Sequence, residues 1–303
     1  MLVSSVVIAA ELDGASDTPL FDYASTQPTV TQPFNDAIRK QIATIESELA
    51  RHPAPPDEDC AHTLGANRFA RQYSDLALAH SNAGDYEEAL VIAEKALACA
   101  PRDPDLHAQV ASELMHVGRR AEARTALQRG LALLEHSSTG TALESLIMQL
   151  DFIDERWADS VARLRAMIAT ETDEERATYY QCFLWLAQRR AGVGQPELTK
   201  PTKYEEWPAT LLQMLKGAAS EEQVLDDVKA QKNEHRRREV LVEALYYVGQ
   251  LRLANGETET ARRYFAAAVN LKVLYFIEHH MALAELTKMR ERSAEAPNAA
   301  WVR

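Results

Sequence analysis

The feature that most constrains this 303-residue chain is an internal recurrence. In "YSDLALAHSNAGDYEEALVIAEKALACAPRDP", Gly84, Ala89 and Ala96 reappear 34 residues later as Gly118, Ala123 and Gly130. A fixed period of that length marks stacked helical hairpins. The positions differ in what they contribute. Gly84 suits the tight turn between two antiparallel helices, and Ala89 and Ala96 are small enough to let those helices approach. Pro101 closes the second helix, while Tyr73, Leu76, Leu90 and Ile92 supply the larger packing groups. One such hairpin cannot bury its apolar face alone, so hairpins must stack.

The pattern continues in altered form. In "LIMQLDFIDERWADSVARLRAMIA" a three-residue insertion brings Trp157 to the place of Tyr86, and Glu155 replaces the turn glycine. "TYYQCFLWLAQRRAGVG" reads as a helix bearing Tyr179, Phe183, Trp185 and Leu186, and the proline-containing "QPELTKPTKYEEWPA" reads as a linker. "TLLQMLKG" is a short apolar helix, and Ser220 and Gln223 have capping-box spacing at the start of the next one. A last hairpin, "LYYVGQLRLANGETETARRYFAAAVN", carries Gly256, Ala261 and Ala268 at the turn and crossing positions, with Phe265 in a larger slot.

Ahead of the repeats, residues 11–33 are acidic and rich in Thr, Ser and Pro without helical period, which predicts an extended or mobile arm. In "FNDAIRKQIATIESELAR" Ile38, Ile42, Ile45 and Leu49 form one helical stripe with Asn35 as N-cap, and "HPAPPDED" ends it. The expected architecture is all-α: an α-solenoid of about four tetratricopeptide-like helical hairpins with an extended N-terminal arm. Its expected divisions are an arm at 1–33, a helix and Pro-rich loop at 34–60, repeats at 61–195, a linker at 196–209, helices with a closing repeat at 210–290, and a tail at 291–303.

Composition agrees with helix: 46% of residues are apolar, and the chain has only 11 Gly and 12 Pro. A net charge of -12 disfavours a nucleic-acid partner, which needs a basic surface to displace counterions from phosphates. The three cysteines, Cys60, Cys99 and Cys182, are odd in number and lack C-x-x-C spacing, so they read as small hydrophobes. No run reaches the ~20 apolar residues of a membrane span. "MLVSSVVIAAELDG" resembles the end of a secretory signal but has no basic n-region or lipobox cysteine. As written the chain reads as cytoplasmic, and as periplasmic or envelope-associated if an upstream start supplies those features.

The repeats resemble tetratricopeptide repeats. The stretch from "CFLWLA" to "HHMALAEL", about a third of the chain, resembles the C-terminal half of NlpI-like tetratricopeptide lipoproteins. The order carries the resemblance: an aromatic "LWLA" helix, a short segment with Trp207, "SEEQ", then "YYVGQLRLANGETETARRYFAAAVNLKVLYFIEHHMALAEL". The resemblance implies an all-α, often dimeric adaptor of the cell envelope that presents client proteins to a processing protease. The family's lipidated N-terminal cysteine has no counterpart, since the first cysteine is Cys60.

Several residues invite a chemical reading. "FIEHHMALAEL" sets Glu278, His279 and His280 side by side, but a helical metal pair needs ligands at i and i+4, and Leu283 and Ala284 stand there. The expectation is a closing helix on the last repeat, half polar because no further repeat covers it, with Phe276, Ile277, Met281, Leu283 and Leu286 packing inward. Glu278 then orders the helix end or touches a partner. Asp85, Glu87, Glu88 and the acidic run from Asp173 to Glu175 read as helix-start groups, where carboxylates favour the dipole. The basic run Arg236, Arg237 and Arg238 fans over a helix as a solvated face with Glu234 pairing to Arg238, or grips a partner's acidic group.

No nucleophile elbow or phosphate loop is present, and no cofactor is implied. Partner binding is expected on the concave face, at Arg71, Ser74, Leu78 and Ser81, then Ala108, Ser112 and Met115, then Tyr246, Gln250 and Leu253. The functional expectation is a non-enzymatic protein–protein interaction scaffold or adaptor that binds a protein or peptide segment, with a homodimer as a further option. The alternative is an enzyme, or enzyme subunit, using Glu278 and the nearby histidines.

Overall fold

The computed structural model describes residues 18–27, 32–134, 140–199 and 204–295, and among them every regular element is helical. In chain order these are α1 (Pro19–Ser25), α2 (Gln32–Arg51), α3 (Asp57–Cys60), α4 (Ala66–Ala83), α5 (Tyr86–Cys99), α6 (Pro104–His116), α7 (Arg120–Ala132) and α8 (Gly140–Ile153). Then come α9 (Trp157–Thr170), α10 (Glu174–Arg190), α11 (Ala209–Leu215), α12 (Glu221–Ala230), α13 (Glu234–Ala254), α14 (Thr258–Asn270) and α15 (Ile277–Glu295). They gather into two compact units: Thr31–Asp154, and Glu155–Arg303 together with Met1–Val30. The Pro-rich segment 196–209 lies inside the second of these.

In the Thr31–Asp154 unit the recurrence produces two hairpins, α4 with α5 and α6 with α7. Gly84 and Gly118 turn them at φ of 85° and 78°, a left-handed backbone that L side chains resist. An added Cβ at Gly118 would meet nothing within 4 Å, so the backbone angle and not space selects glycine there. Gly130 is selected for the opposite reason: a Cβ would fall 2.9 Å from Leu143 Cδ2 and 3.1 Å from His107 Cβ. Ala77, Ala89, Ala93, Ala96 and Ala123 are all fully buried at the crossings, as their size predicts. Leu76, Leu90, Ile92, Leu114, Leu127 and Leu150 fill the core between them, and Ile42, Ile45 and Leu49 of α2 lean on it.

Three sequence expectations change. Cys60 and Cys99 form a disulfide that ties the end of α3 to the end of α5, so two of the cysteines are a crosslink and only Cys182 remains a buried thiol. Spacing could not show this pairing, because 39 residues of chain separate two positions that only the hairpin brings together. α2 starts at Gln32, which places Asn35 inside the helix and not at its cap. Within the stretch expected to be an extended arm, residues 19–25 are helical and Leu20, Phe21 and Ala24 are buried against α12, α13 and α14. The segment is too short to show a period, and its helix comes from the seat it occupies. The rest of the expected arm and the tail beyond Glu295 lie outside the described residues.

In the second unit α13 is the central element, packed by α10, α12, α14 and α15. Its run Val240–Gln250 is buried on all sides, which fits a helix apolar all round. Gly249 is required by the crossing with α14, since a Cβ would sit 2.7 Å from Phe265 Cε1. Gly256, at φ 83°, makes the turn into α14. Ser220 caps α12 in a complete capping box with Gln223, as its spacing predicts.

Candidate functional site

The face formed by the first helices of the two hairpins is organised by a polar seam. Ser74 Oγ on α4 donates to Gln109 Oε1 on α6 at 2.8 Å, and Gln109 Nε2 returns a bond to the Ser74 carbonyl at 2.8 Å. Two helical turns further on, Ser81 Oγ donates to Glu113 Oε2 at 3.0 Å, and His116 Nδ1 lies 3.1 Å from the same oxygen. These bonds explain the serines: a buried polar atom needs a partner, and the next repeat supplies it. Leu78 lies between Ser74 and Ser81 on the same helical stripe, yet it is 52% exposed. Arg71, one turn before Ser74, is exposed as well.

The structure sorts the residues expected on this face. Arg71 and Leu78 are open; Ser74, Ser112 and Met115 are half-buried, Met115 leaning on the core; Ser81 and Ala108 are buried. Gln109, Glu113 and His116 were not among the expected residues. The signal available for them was their offset from Ser74 and Ser81, close to one repeat period.

In the second unit the expectation of an open face fails. Tyr246 and Gln250 are fully buried and Leu253 is half-buried, because α13 is covered on every side. Gln250 works inside, donating to Glu285 Oε1 at 3.0 Å and to Tyr246 Oη at 3.2 Å, and accepting from Arg190 Nη1 at 2.6 Å. Glu155, the left-handed residue at φ 58° where the repeat expects glycine, is held by Arg292 at 2.6 Å, Arg190 at 3.3 Å and Lys288 at 3.4 Å. Lys288 also reaches Glu285 at 3.0 Å. The backbone strain of a non-glycine residue there is offset by three cations.

A second buried network surrounds Glu243 of α13. Tyr179 Oη on α10 donates to its Oε2 at 2.5 Å, Trp207 Nε1 donates to the same oxygen, and Arg236 Nη1 lies 3.5 Å from Oε1. Arg236 also pairs with Glu239 at 3.3 Å and Glu175 at 3.7 Å, and Arg237 donates to the Gln231 carbonyl at 2.7 Å. With all three arginines half-buried, the basic run is not the solvated face expected from its fan. Asn233 caps the helix beneath it by accepting from the His235 and Arg236 amides.

Glu278 lies in the first turn of α15, where it was expected to order the helix end, but it is buried and feels the charge of Glu243, while its apolar neighbour Ile277 points outward. Burial, then the Glu243 charge, push its carboxyl up to about 8, and burial pushes Glu243 up to about 7 against its donors. Glu243 faces the donors Tyr179, Trp207 and Arg236, which favour its charged form, while burial favours the neutral form of Glu278. His279 is buried beside it, and His280 Nε2 lies 2.6 Å from the Leu274 carbonyl. Among the described residues no group of His, Cys, Asp or Glu is arranged to hold a metal ion.

The expected helix-start carboxylates stand at helix starts, although Asp85, at the N-cap of α5, makes no side-chain cap bond. Asp173 accepts from the Arg176 amide, Glu174 and Glu175 follow in the first turn of α10, and Glu87 and Glu88 sit in the first turn of α5. A shallow hollow at the start of α7 is lined by Arg119, Arg120, Arg124 and Asp154. Its cations are paired, Arg124 with Asp151 at 2.7 Å and Asp154 at 2.9 Å, and Arg120 with Asp154 at 3.1 Å. Among the described residues no helix is long and apolar enough to cross a membrane. No model of a known protein family matches the chain, and a search of curated proteins returns no match either.

Proposed function

We propose that the chain is a non-enzymatic interaction scaffold of the tetratricopeptide kind, which takes a protein segment along the α4 and α6 face of the Thr31–Asp154 unit. Leu78 carries this reading. The residues before and after it on its stripe are fixed across to α6, so the seam holds its shape, while a large apolar side chain is left in water. Arg71, one turn before the seam, offers a charge for an acidic group on the same segment. In this reading Glu278 is a protonated core group that fastens α15 and has no catalytic role.

The resemblance of the C-terminal third to NlpI-like lipoproteins extends the proposal to an adaptor of the cell envelope. The Cys60–Cys99 disulfide supports that extension, since disulfides persist in oxidising compartments and not in a reducing cytoplasm.

The test is site-specific photo-crosslinking in the native host. A photoreactive residue at Leu78 is expected to capture a discrete protein partner, and one at Val91, exposed on α5, is expected not to. Arg71→Glu combined with Leu78→Glu is expected to abolish capture by a reporter at Ser112 while circular dichroism stays unchanged. Equal capture from Leu78 and Val91, or capture indifferent to the double change, would sink the proposal.

A further inference from the structure

We propose that the surface formed by α12, α13 and α14 is a receptor for a short aromatic helix, and that α1 is its resident and displaceable occupant. α1 has seven residues, too few to hold helical structure alone in water, so its fold depends on its seat. Leu20, Phe21 and Ala24 are its buried residues. Phe21 meets Tyr264 of α14 edge-on with ring centres 6.1 Å apart, and the Arg263 guanidinium stands 4.8 Å from the Phe21 ring. On the other side Lys229 Nζ of α12 lies 5.4 Å from the centre of the Tyr23 ring.

The seat has cross-links of its own, although the Tyr264 hydroxyl also pairs with Thr18 at the N-cap of α1. Tyr264 Oη on α14 donates to Glu221 Oε1 on α12, and Arg252 Nη2 on α13 bonds Glu221 Oε2 at 3.2 Å, so one carboxylate links all three walls. A pre-formed site of this kind binds a segment without first being assembled, which lowers the cost of exchange. The occupant is also remote in sequence from the helices it touches: after Val30 the chain enters the other compact unit, and it returns to this one only at Glu155. The segment is therefore a ligand joined by a tether, and its advantage over a competitor is effective concentration.

The chemistry of the seat defines that competitor. It is a helical segment of another protein bearing adjacent Leu and Phe and a second aromatic residue two places on, so that its rings meet Arg263 and Lys229 as Phe21 and Tyr23 do. This inference concerns the second unit and does not rest on the Leu78 face, so either proposal can fail alone.

The experiment uses the full chain with a recognition sequence for a specific protease inserted after Gln27. After cleavage, a fluorescent peptide of residues 16–27 is added in excess. The expected result is saturable binding with release of the cut segment and unchanged helical circular dichroism, and roughly tenfold or weaker binding by the same peptide carrying Phe21→Ala. No peptide binding, equal binding by the Phe21→Ala peptide, or loss of helical signal when the segment leaves would each overturn the proposal, the last by making α1 an integral part of the fold.

Discussion

The two compact units solve the same packing problem with different materials. The Thr31–Asp154 unit is built from alanine crossings, aliphatic fillers and one disulfide, and its polar seam joins Ser74 to Gln109 and Ser81 to Glu113. The second unit buries ionisable groups at its centre, with Glu243, Glu278, Glu285 and Lys288 all in the interior beside Tyr246, Tyr247 and Phe265. The first unit also buries His107, Glu113 and Asp151, each with a polar partner, whereas the second sets its carboxylates among aromatic rings, where Glu243 and Glu278 share one interior. The comparison predicts that the first unit responds to redox state and the second to pH.

The largest expected effect is on the first unit. Reduction, or Cys60→Ser with Cys99→Ser, opens a loop of 39-residue separation, which in the chain-entropy account costs about 4 kcal/mol. Hydrogen exchange should show faster opening of α4 to α7 with little change in α13 to α15. Equal acceleration in both units would break the contrast.

Glycine crossings sharpen it next. Gly249→Ala drives a methyl into the rigid, buried Phe265 ring and should cost about 2 kcal/mol in a denaturant midpoint. Gly130→Ala meets a Leu143 methyl that can rotate and the His107 Cβ at 3.1 Å, and should cost somewhat less. The reverse order would show that the aromatic core is the softer one.

The pH response belongs to Glu243 and Glu278. Their folded pKa values of about 7 and about 8 lie above the unfolded value near 4.3, so the native state binds more protons across that interval. Stability of the second unit is therefore full below about pH 4 and falls as pH rises through the window to about 8. Glu278→Gln removes one ionisation while keeping the shape, and should raise the thermal midpoint by roughly 3–8 °C near pH 8 with little change near pH 4. A flat difference across that range would remove the assignment. The smallest effect is expected from Leu78→Glu, within about 0.5 kcal/mol, because the side chain already faces water.

Much of the fold was legible. Gly84, Gly118 and Gly256 stand at left-handed turns, Ala89 and Ala123 at buried crossings, and Ser220 at a capping box, because each depends on local geometry that a residue type satisfies by itself. Repeat spacing placed Arg71 and Leu78 on the open side of α4, but it also placed Ser81 and Ala108 there, and both are buried. The face expected at Tyr246 and Gln250 was not legible: a repeat phase says which side of a helix leaves its own hairpin, but not whether α10, α12 or α15 arrives to cover it.

The sequence by itself determined helical elements throughout the described residues and two hairpins at a 34-residue period, since turn, crossing and cap are short-range requirements. Only the tertiary structure decided that Cys60 meets Cys99, that Glu278 lies against Glu243, and that residues 19–25 become a helix. Each of these joins groups far apart in the chain, and their proximity is set by how the helices stack, which no local spacing encodes.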